Sequence, residues 1–258
     1  MKIFVCIKQV ADTETKVKVL PDRTGLDPAG VKWVMNPYDE YAVEEAIKTR
    51  DANPGSQIHV ISLGPKVRVV ESLRTALAMG ADEAIVVNAP DSLDNFATAK
   101  ALAKAIEGEG GGDVIFCGKL AIDDNSSSVG QMIAEFLKIP HTTVVSKFSY
   151  KDGNVIVERD IEGGAKEVVE MKAPALVGAS KGLNLPRYAS LPGIMKAKKK
   201  TIKELELAGL GIEESEQKVR WTEYQLPPDK PSVKMISGEP IAQASELVQL
   251  LRDEAKVL

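Results

Sequence analysis

The sequence has few of the side chains on which catalysis and metal binding usually depend. Among its 258 residues are only two cysteines, Cys6 and Cys117, and two histidines, His59 and His141. Neither cysteine belongs to a C-x-x-C pair, and neither histidine has a Cys or Glu at the spacing of metal ligands. We therefore expect no metal site and no catalytic side chain. Both cysteines are interpreted as buried structural thiols, and His59 as a strand residue.

Long apolar runs, an excess of basic residues and the familiar phosphate-binding motifs are also absent. No stretch approaches the roughly 18 apolar residues of a membrane span, and the N-terminus lacks the apolar core of a signal peptide. The net charge of −4 does not favour a nucleic-acid partner. Neither G-x-G-x-x-G nor G-x-x-x-x-G-K-S/T occurs, so no motif independently predicts a dinucleotide site. We expect a cytoplasmic protein that does not insert into membranes.

What the chain does have is a regular alternation of strand and helix patterns as far as Pro140. Asn36 and Pro37 form a typical helix start, with Asn36 as the expected cap. Alternating units of this size predict an α/β fold, with a parallel, Rossmann-like sheet flanked by helices on both faces. The other predicted elements are strands at 2–7, 57–63, 83–87 and 113–117, and helices at 67–79, 93–107 and 129–137.

After Pro140 the pattern changes to β structure and then to an arm. Alternating residues on either side of Lys151-Asp-Gly-Asn154 predict a β-hairpin extension, followed by strands at 167–172 and 175–177. We expect residues 1–185 to form an α/β nucleotide-binding core. Residues 186–258 are expected to form a C-terminal arm, with helices at 191–200 and 241–257.

The most informative stretch follows the strand at 113–117 and precedes the helix at 129–137. In parallel sheets, ligands bind at the carboxyl ends of strands, and the first amides of a helix are positive and lack internal partners. Residues 125–128 add one Asn and three Ser side chains, which suits a single phosphate. The alternative is an Asn/Ser cap on an ordinary loop. We call residues 118–128 the nucleotide loop.

These residues also resemble a known family. Gly118-Lys-Leu-Ala-Ile-Asp-Asp124 resembles the AMP-binding loop of the β subunit of electron transfer flavoproteins, and Met35-Asn-Pro-Tyr-Asp-Glu40 is similar to the family's Met-Asn-Pro turn. Residues 74–82 and 186–200 match two further family blocks. The family signature departs only at Gly178, where a small Thr, Ala, Cys or Ser is usual. Its other positions fall on Val157, Arg159, Glu162, Gly163, Gly164, Glu167, Val169, Pro174, Leu176 and Val177.

The resemblance implies that this chain binds AMP in a structural role, while the redox FAD is held mainly by a separate α subunit. Asp123 and Asp124 then help to hold the loop around AMP, although they could equally bond backbone amides and shape the turn. No nearby nucleophile or histidine supports a catalytic or metal-binding role for them. The implied AMP-binding residues are Cys6, Asn36, Pro37, Tyr38, Asp39, Leu63, Gly118, Lys119, Ala121, Ile122, Asp123, Asp124, Asn125, Ser126, Ser127, Ser128 and Val129.

The resemblance also implies partners. Residues 186–200, which we call the docking segment, are expected to dock acyl-CoA dehydrogenases or similar flavoenzymes. The C-terminal arm is expected to pack on the α subunit. The resulting heterodimer then passes electrons to a quinone-linked oxidoreductase. Arg159 and Asp160 are expected to contact the FAD domain of the α subunit, with simple solvated charge as the alternative for Asp160. The implied docking residues, for which core packing is the alternative, are Tyr188, Leu191, Pro192, Ile194 and Met195.

Two other functions remain to be weighed. An electron-bifurcating member of the family carries a second FAD in place of AMP. Such members have glycine where this chain has Asp124, and a carboxylate there fills space and repels a second phosphate. A free-standing nucleotide-binding regulator, similar in architecture to universal stress proteins, forms a homodimer without FAD. The sequence favours AMP and the heterodimer.

Overall fold

The computed structural model describes residues 1–258, which divide into two compact units. The first unit comprises Met1–Val17 and Asp27–Thr222, and the second comprises Lys18–Leu26 and Glu223–Leu258. The strands of the first unit are β1 (Lys2–Cys6), β2 (Gln9–Ala11), β3 (Trp33–Met35), β4 (Gln57–Gly64), β5 (Glu83–Asn88), β6 (Val114–Gly118), β7 (His141–Lys151), β8 (Asn154–Asp160), β9 (Lys166–Lys172), β10 (Ala175–Ala179) and β11 (Ile202–Glu206). Its α-helices are α1 (Pro37–Ala52), α2 (Lys66–Met79), α3 (Asn95–Gly108), α4 (Val129–Leu137) and α5 (Leu191–Lys199).

Nine of these strands form one sheet, in the order β11-β5-β4-β1-β6-β10-β7-β8-β9. Neighbours from β11 to β7 are parallel, whereas β8 and β9 continue the sheet in antiparallel fashion. Along β1, Ile3 and Val5 pack with α1 and α2 on one face, while Phe4 and Cys6 pack with α3 and α4 on the other. The structure therefore confirms the predicted α/β fold with a parallel sheet flanked by helices.

The predicted hairpin is confirmed as well. β7 and β8 are joined by Asp152 and Gly153, whose φ angles of 51° and 80° are both positive. A two-residue turn with positive φ at both positions matches the right-handed twist of the strands, and glycine adopts that conformation without strain. The turn therefore follows from two local residue choices.

Three short strands lie outside the predicted strands. β2 and β3 pair with each other as a separate antiparallel ribbon. β11 joins the edge of the main sheet parallel to β5, with Ile202 opposite Ala84. Only Ile202 and Leu205 of β11 are partly buried, so its apolar pattern is too weak to be recognised. β11 belongs to the first compact unit, which continues to Thr222.

The second unit combines a tight turn with the C-terminal arm. Within the turn Val19 and Leu26 form an antiparallel bridge, and Arg23 pairs with Glu223 at 2.6 Å. Helix α6 (Pro240–Gln249) continues into a π-helical turn at Leu250–Glu254, in place of the single helix predicted at 241–257. No helix of the chain combines the length and the apolar character needed to cross a membrane.

Candidate nucleotide site and docking segment

The nucleotide loop lies where the sequence predicts it. β6 ends at Gly118, and α4 begins at Val129. β6 lies between β1 and β10, and Cys6 of β1 is opposite Cys117 of β6. The predicted strand, loop and helix are thus confirmed, and the loop occupies the carboxyl edge of the sheet, where α/β proteins bind their ligands.

Gly118 allows the first turn of α1 to cross the base of the loop. A Cβ atom at this position would lie 2.7 Å from the Cβ of Tyr38 and would also collide with the carboxylate of Asp39. The next residue, Lys119, places its ammonium group 5.0 Å from the centre of the Tyr38 ring, a cation–π distance. Any larger residue at 118 would therefore push the loop and the helix apart.

Two buried side chains at the start of α1 hold the loop through its backbone. Asp39 accepts a hydrogen bond of 2.9 Å from the N–H of Gly118. Asn36 donates to the carbonyl of Leu120 at 2.8 Å and accepts from the N–H of Ile122 at 3.2 Å. The two side chains thereby fix alternate residues of the loop from 118 to 122.

This use of Asn36 corrects one expectation. Asn36 does occupy the N-cap position of α1, and Pro37 the first helical position, but the Asn36 side chain makes no capping hydrogen bond. Its amide donates instead to Asp39, at 3.0 Å, and to the loop. A helix-start pattern cannot reveal a partner that lies 84 residues further along the chain.

Asp39 is the buried ionisable group of the site. It is only 4% exposed, and burial raises the pKa of its carboxyl to about 7, while the N–H donors of Lys8, Asn36 and Gly118 oppose the shift. One carboxylate oxygen binds Gly118 and Asn36, and the other accepts from the N–H of Lys8 at 2.6 Å. Asp39 therefore supports the loop through three N–H groups of the protein itself.

The outer rim of the loop carries two aspartates and one lysine. The ammonium of Lys8 lies 2.8 Å from the carboxylate of Asp123 and 3.5 Å from that of Asp124. Asp124 also accepts a hydrogen bond of 3.0 Å from the N–H of Ser126. Shaping the turn, which the sequence leaves as an alternative, is thus part of what Asp124 does. No group of three His, Cys, Asp or Glu side chains in residues 1–258 is placed to hold a metal ion.

The serine-rich end of the loop leads into α4. The hydroxyl of Ser127 donates to the carbonyl of Lys119 at 2.8 Å, and the amide of Asn95 donates to the hydroxyl of Ser128 at 3.1 Å. Ser128 occupies the N-cap position of α4 but makes no capping hydrogen bond. The capping alternative is therefore wrong for Ser128, and no side-chain cap satisfies the first amides of α4.

Other residues of the implied set surround the same edge. Cys6 and Leu63 lie at or near the ends of β1 and β4, and burial raises the pKa of the Cys6 thiol to about 12. Both cysteines are buried and unpaired, as expected. Lys8 and Asn95 join the site although the sequence analysis does not single them out. Lys8 could have been found from its position in the sequence. It lies two residues beyond the end of β1, on the edge of the sheet that carries Asp123 and Asp124.

The docking segment presents apolar side chains to solvent. Tyr188 is 98% exposed and Leu191, the first residue of α5, is 74% exposed. Pro192, Ile194 and Met195 are exposed as well. The alternative in which these side chains fill the core is therefore wrong.

Comparison with known proteins identifies the family. A family model described as "Electron transfer flavoprotein domain" matches residues 24–210. The chain is 42% identical to the electron transfer flavoprotein subunit beta of Bacillus subtilis (strain 168) and 41% identical to that of Bradyrhizobium diazoefficiens, with both chains fully covered in each case. The Sus scrofa protein of the same name is 38% identical, over all of this chain and 99% of its own. The chain belongs to the electron transfer flavoprotein family, as a β subunit.

Membership of the electron transfer flavoprotein family has three consequences. The chain is an electron transfer protein and not an enzyme with catalytic residues of its own. As a β subunit it pairs with an α subunit, and the complex that they form is associated with a flavin. A free-standing nucleotide-binding regulator is therefore not supported.

In this β subunit, Arg159 and Asp160 end strand β8. Arg159 pairs with Glu167 at 3.1 Å. Asp160 is exposed, and its carboxylate accepts a hydrogen bond of 3.1 Å from Ser146 and lies 3.6 Å from the ammonium of Lys166. The carboxylate of Asp160 is therefore partly satisfied by Ser146 and Lys166, which also lie near the surface.

Proposed function

We propose that this chain is the β subunit of an AMP-binding, non-bifurcating electron transfer flavoprotein. The heterodimer takes electrons from acyl-CoA dehydrogenases or related flavoenzymes and delivers them to a quinone-linked oxidoreductase, and the cytoplasm is its proposed location. FAD, held mainly by the α subunit, supplies the redox chemistry when bound. The observation that carries the nucleotide part of the proposal is the loop at the sheet edge, whose backbone is fixed by buried Asn36 and Asp39.

The nucleotide loop fits a single phosphate. Three consecutive serines precede α4, and no acidic side chain lies between Asn125 and Val129. The positive end of the α4 dipole meets this part of the loop, and its first amides are available to an anionic acceptor. Hydroxyl groups, amides and a helix N-terminus together are the donors that a phosphate monoester prefers.

Asp124 supports AMP over a second FAD. Its carboxylate is fixed by the N–H of Ser126, and Lys8 offsets part of its charge. One lysine faces two aspartates, however, so the outer rim of the loop keeps a net negative charge. A second phosphate at this rim meets repulsion on the order of a few kcal/mol if the site is partly dry. The Asp124 side chain also occupies volume that glycine leaves open.

The docking segment supports the proposed partner class. Its exposed apolar residues are bordered by Lys196, Lys198 and Lys199, which are exposed at the end of α5. An apolar anchor with a charged rim is the usual anatomy of a transient interface, and the lysines suit an acidic partner surface. Both features fit a protein that meets several redox partners in turn.

Denaturation of the purified heterodimer tests the nucleotide proposal. We expect each heterodimer to release one FAD and one AMP, measured by flavin absorbance and by chromatography of the released nucleotides. Two FAD molecules without AMP would contradict the proposal and point to the bifurcating type. A flavin-free homodimer would contradict the heterodimer itself.

A further inference from the structure

The docking segment is tied to the body of the first unit at its two ends. At its start, the guanidinium of Arg187 donates two hydrogen bonds, of 2.7 Å and 2.9 Å, to the carboxylate of Glu44 on α1. The backbone N–H of Arg187 donates to the same carboxylate at 3.2 Å. The Glu44 side chain is buried, whereas that of Arg187 is 42% exposed. A buried carboxylate without such a partner is costly, so the pair favours one position for the start of the segment.

A second buried carboxylate strengthens this attachment. Glu45 accepts a hydrogen bond of 2.9 Å from the side chain of Asn184, which also donates to the carbonyl of Tyr41 at 2.9 Å. Glu44 and Glu45 are adjacent on α1, and both are buried. The buried carboxylates of Glu44 and Glu45 thus bind Arg187, at the start of the docking segment, and Asn184, just before it.

The end of the segment is held by two cationic side chains, Arg74 and Lys200, which bind backbone carbonyls. Arg74 of α2 donates to the carbonyls of Ala197 and Lys200, at the end of α5. Lys200 donates to the carbonyls of Ala81 and Asp82, just beyond α2, at 2.8 Å and 2.7 Å. The last carbonyls of a helix have no partners within it, so Arg74 satisfies carbonyls at the end of α5. Lys200 fixes the same end of the segment to the turn that follows α2.

Small residues allow α5 to lie close against α2. A Cβ atom on Gly193 would collide with the carbonyl oxygen of Ala78, and Ala197, four residues later, is buried. Leu191 and Met195, on the other hand, are exposed. The inner face of α5 is therefore fixed to the protein, and its apolar outer face is left free.

We propose that Arg187 and Arg74 are positioning residues for partner docking: they hold the docking segment in its binding geometry without touching the partner. The inference rests on the proposed docking function. A segment that is already ordered loses less conformational entropy when a partner binds, so its attachment at both ends favours association. Loss of either attachment should weaken partner binding and leave the flavin's own chemistry unchanged.

Steady-state kinetics of the complete heterodimer test this inference, with medium-chain acyl-CoA dehydrogenase and octanoyl-CoA as the electron source. For Arg187→Gln, Arg74→Gln and Glu44→Gln we expect the KM for the heterodimer to rise about tenfold while kcat changes little, as ordering costs of a few side chains imply. Glu44→Gln removes a negative charge and the arginine variants remove a positive one, so a shared direction excludes a simple charge effect. Lys104→Gln, on the exposed face of α3, is the control for loss of a positive charge.

Hydrogen exchange provides a second readout that needs no partner protein. We expect faster exchange of the amides of residues 186–200 in the three variants, with the sheet unchanged, and recovery of slow exchange and low KM in Arg74→Lys. Faster exchange throughout the sheet, or unchanged exchange and KM, would overturn the inference.

Leu191→Ala, measured in parallel, separates this inference from the proposed docking function. If Leu191→Ala raises KM and the arginine variants do not, the positioning role is wrong. If no variant affects KM, docking by this segment is wrong as well. Chemical reduction of the flavin by dithionite should be normal in all variants.

Discussion

The nucleotide loop and the docking segment are both held by helix α1, but in different ways. At the start of α1, Asn36 and Asp39 bind the backbone of the nucleotide loop. Further along, Glu44 and Glu45 bind side chains at the approach to the docking segment. The anchors of the loop are buried and bind backbone groups that are half-buried, whereas Arg187, which binds Glu44, has a side chain that is 42% exposed.

The difference separates two kinds of energetic effect. A buried carboxylate surrounded by N–H donors contributes to folding, because its removal leaves several donors without acceptors in a dry site. An exposed apolar side chain contributes little to folding and acts when a partner covers it. We therefore expect changes at the loop to alter stability and nucleotide content together, and changes at the exposed apolar side chains of the docking segment to alter partner binding alone.

The largest expected effect is that of Asp39→Ala. The N–H groups of Lys8, Gly118 and Asn36 lose their common acceptor, which should lower the free energy of unfolding by about 3 kcal/mol. Nucleotide content of the purified heterodimer should fall as well. Urea unfolding and nucleotide analysis measure the two effects.

Asp123→Ala provides the matched control at the exposed rim of the same loop. Its partner Lys8 is 43% exposed, and surface ion pairs contribute at most about 1 kcal/mol. Equal losses of stability in the two variants would contradict the distinction between buried anchor and exposed rim.

The pKa of Asp39 adds a dependence on pH. Burial raises that pKa from an ordinary value of 3.8 to about 7, so the neutral carboxyl is favoured in the folded protein. The resulting stabilisation is fully present below the unfolded pKa and is lost as the pH rises through the folded pKa. Asp39→Asn cannot titrate, so its stability relative to the wild type should improve between about pH 5 and about pH 8. Urea unfolding at the two pH values measures this, and a constant difference would show that the carboxyl does not titrate in this range.

The nucleotide loop and the docking segment also differ in how much of each can be predicted from the sequence. The turn at Asp152 and Gly153 and the limits of α4 follow from neighbouring residues, and both are predicted correctly. The anchors are not local: Asp39 and Gly118 are 79 residues apart, and Arg187 and Glu44 are 143 residues apart. Periodicity and turn chemistry report only on near neighbours, so they predict the loop but not the side chains that hold it. The docking segment is implied by the family resemblance and not by its own pattern, which leaves core packing open. β11 is missed for a related reason, because an edge strand needs little apolar pattern.

Leu191→Ala is expected to have an intermediate effect, on binding alone. Removal of an apolar anchor from an interface commonly costs about 2 kcal/mol, which is roughly a thirtyfold loss of affinity. A partner dehydrogenase should reduce the flavin of the variant less efficiently. Unfolding, heterodimer assembly, AMP content and reduction of the flavin by dithionite should stay normal. Stopped-flow reduction at several dehydrogenase concentrations measures the affinity.

Leu185→Ala is the matched control for this change. Leu185 is even more exposed, at 91%, but lies just before the docking segment. An equal loss of affinity in both variants would show that the partner binds exposed apolar surface in general and does not require Leu191. Loss of AMP or of folding in Leu191→Ala would contradict a role of Leu191 in partner binding alone.

The smallest expected effect is that of Asp160→Ala, which extends the comparison to the sheet extension. Asp160 is exposed, and its contacts with Ser146 and Lys166 are surface contacts, so their loss should change the free energy of unfolding by less than about 1 kcal/mol. If Asp160 faces a cation of the FAD domain, the rate of electron transfer to or from the heterodimer should change while the melting temperature stays constant. Glu170→Ala, an exposed acidic residue on β9, makes the same change of charge and should leave the rate unaltered. An unchanged rate in Asp160→Ala, or an equal change in both variants, would show that Asp160 is an ordinary solvated charge. A specific contact should depend on the position of the charge as well as on its sign.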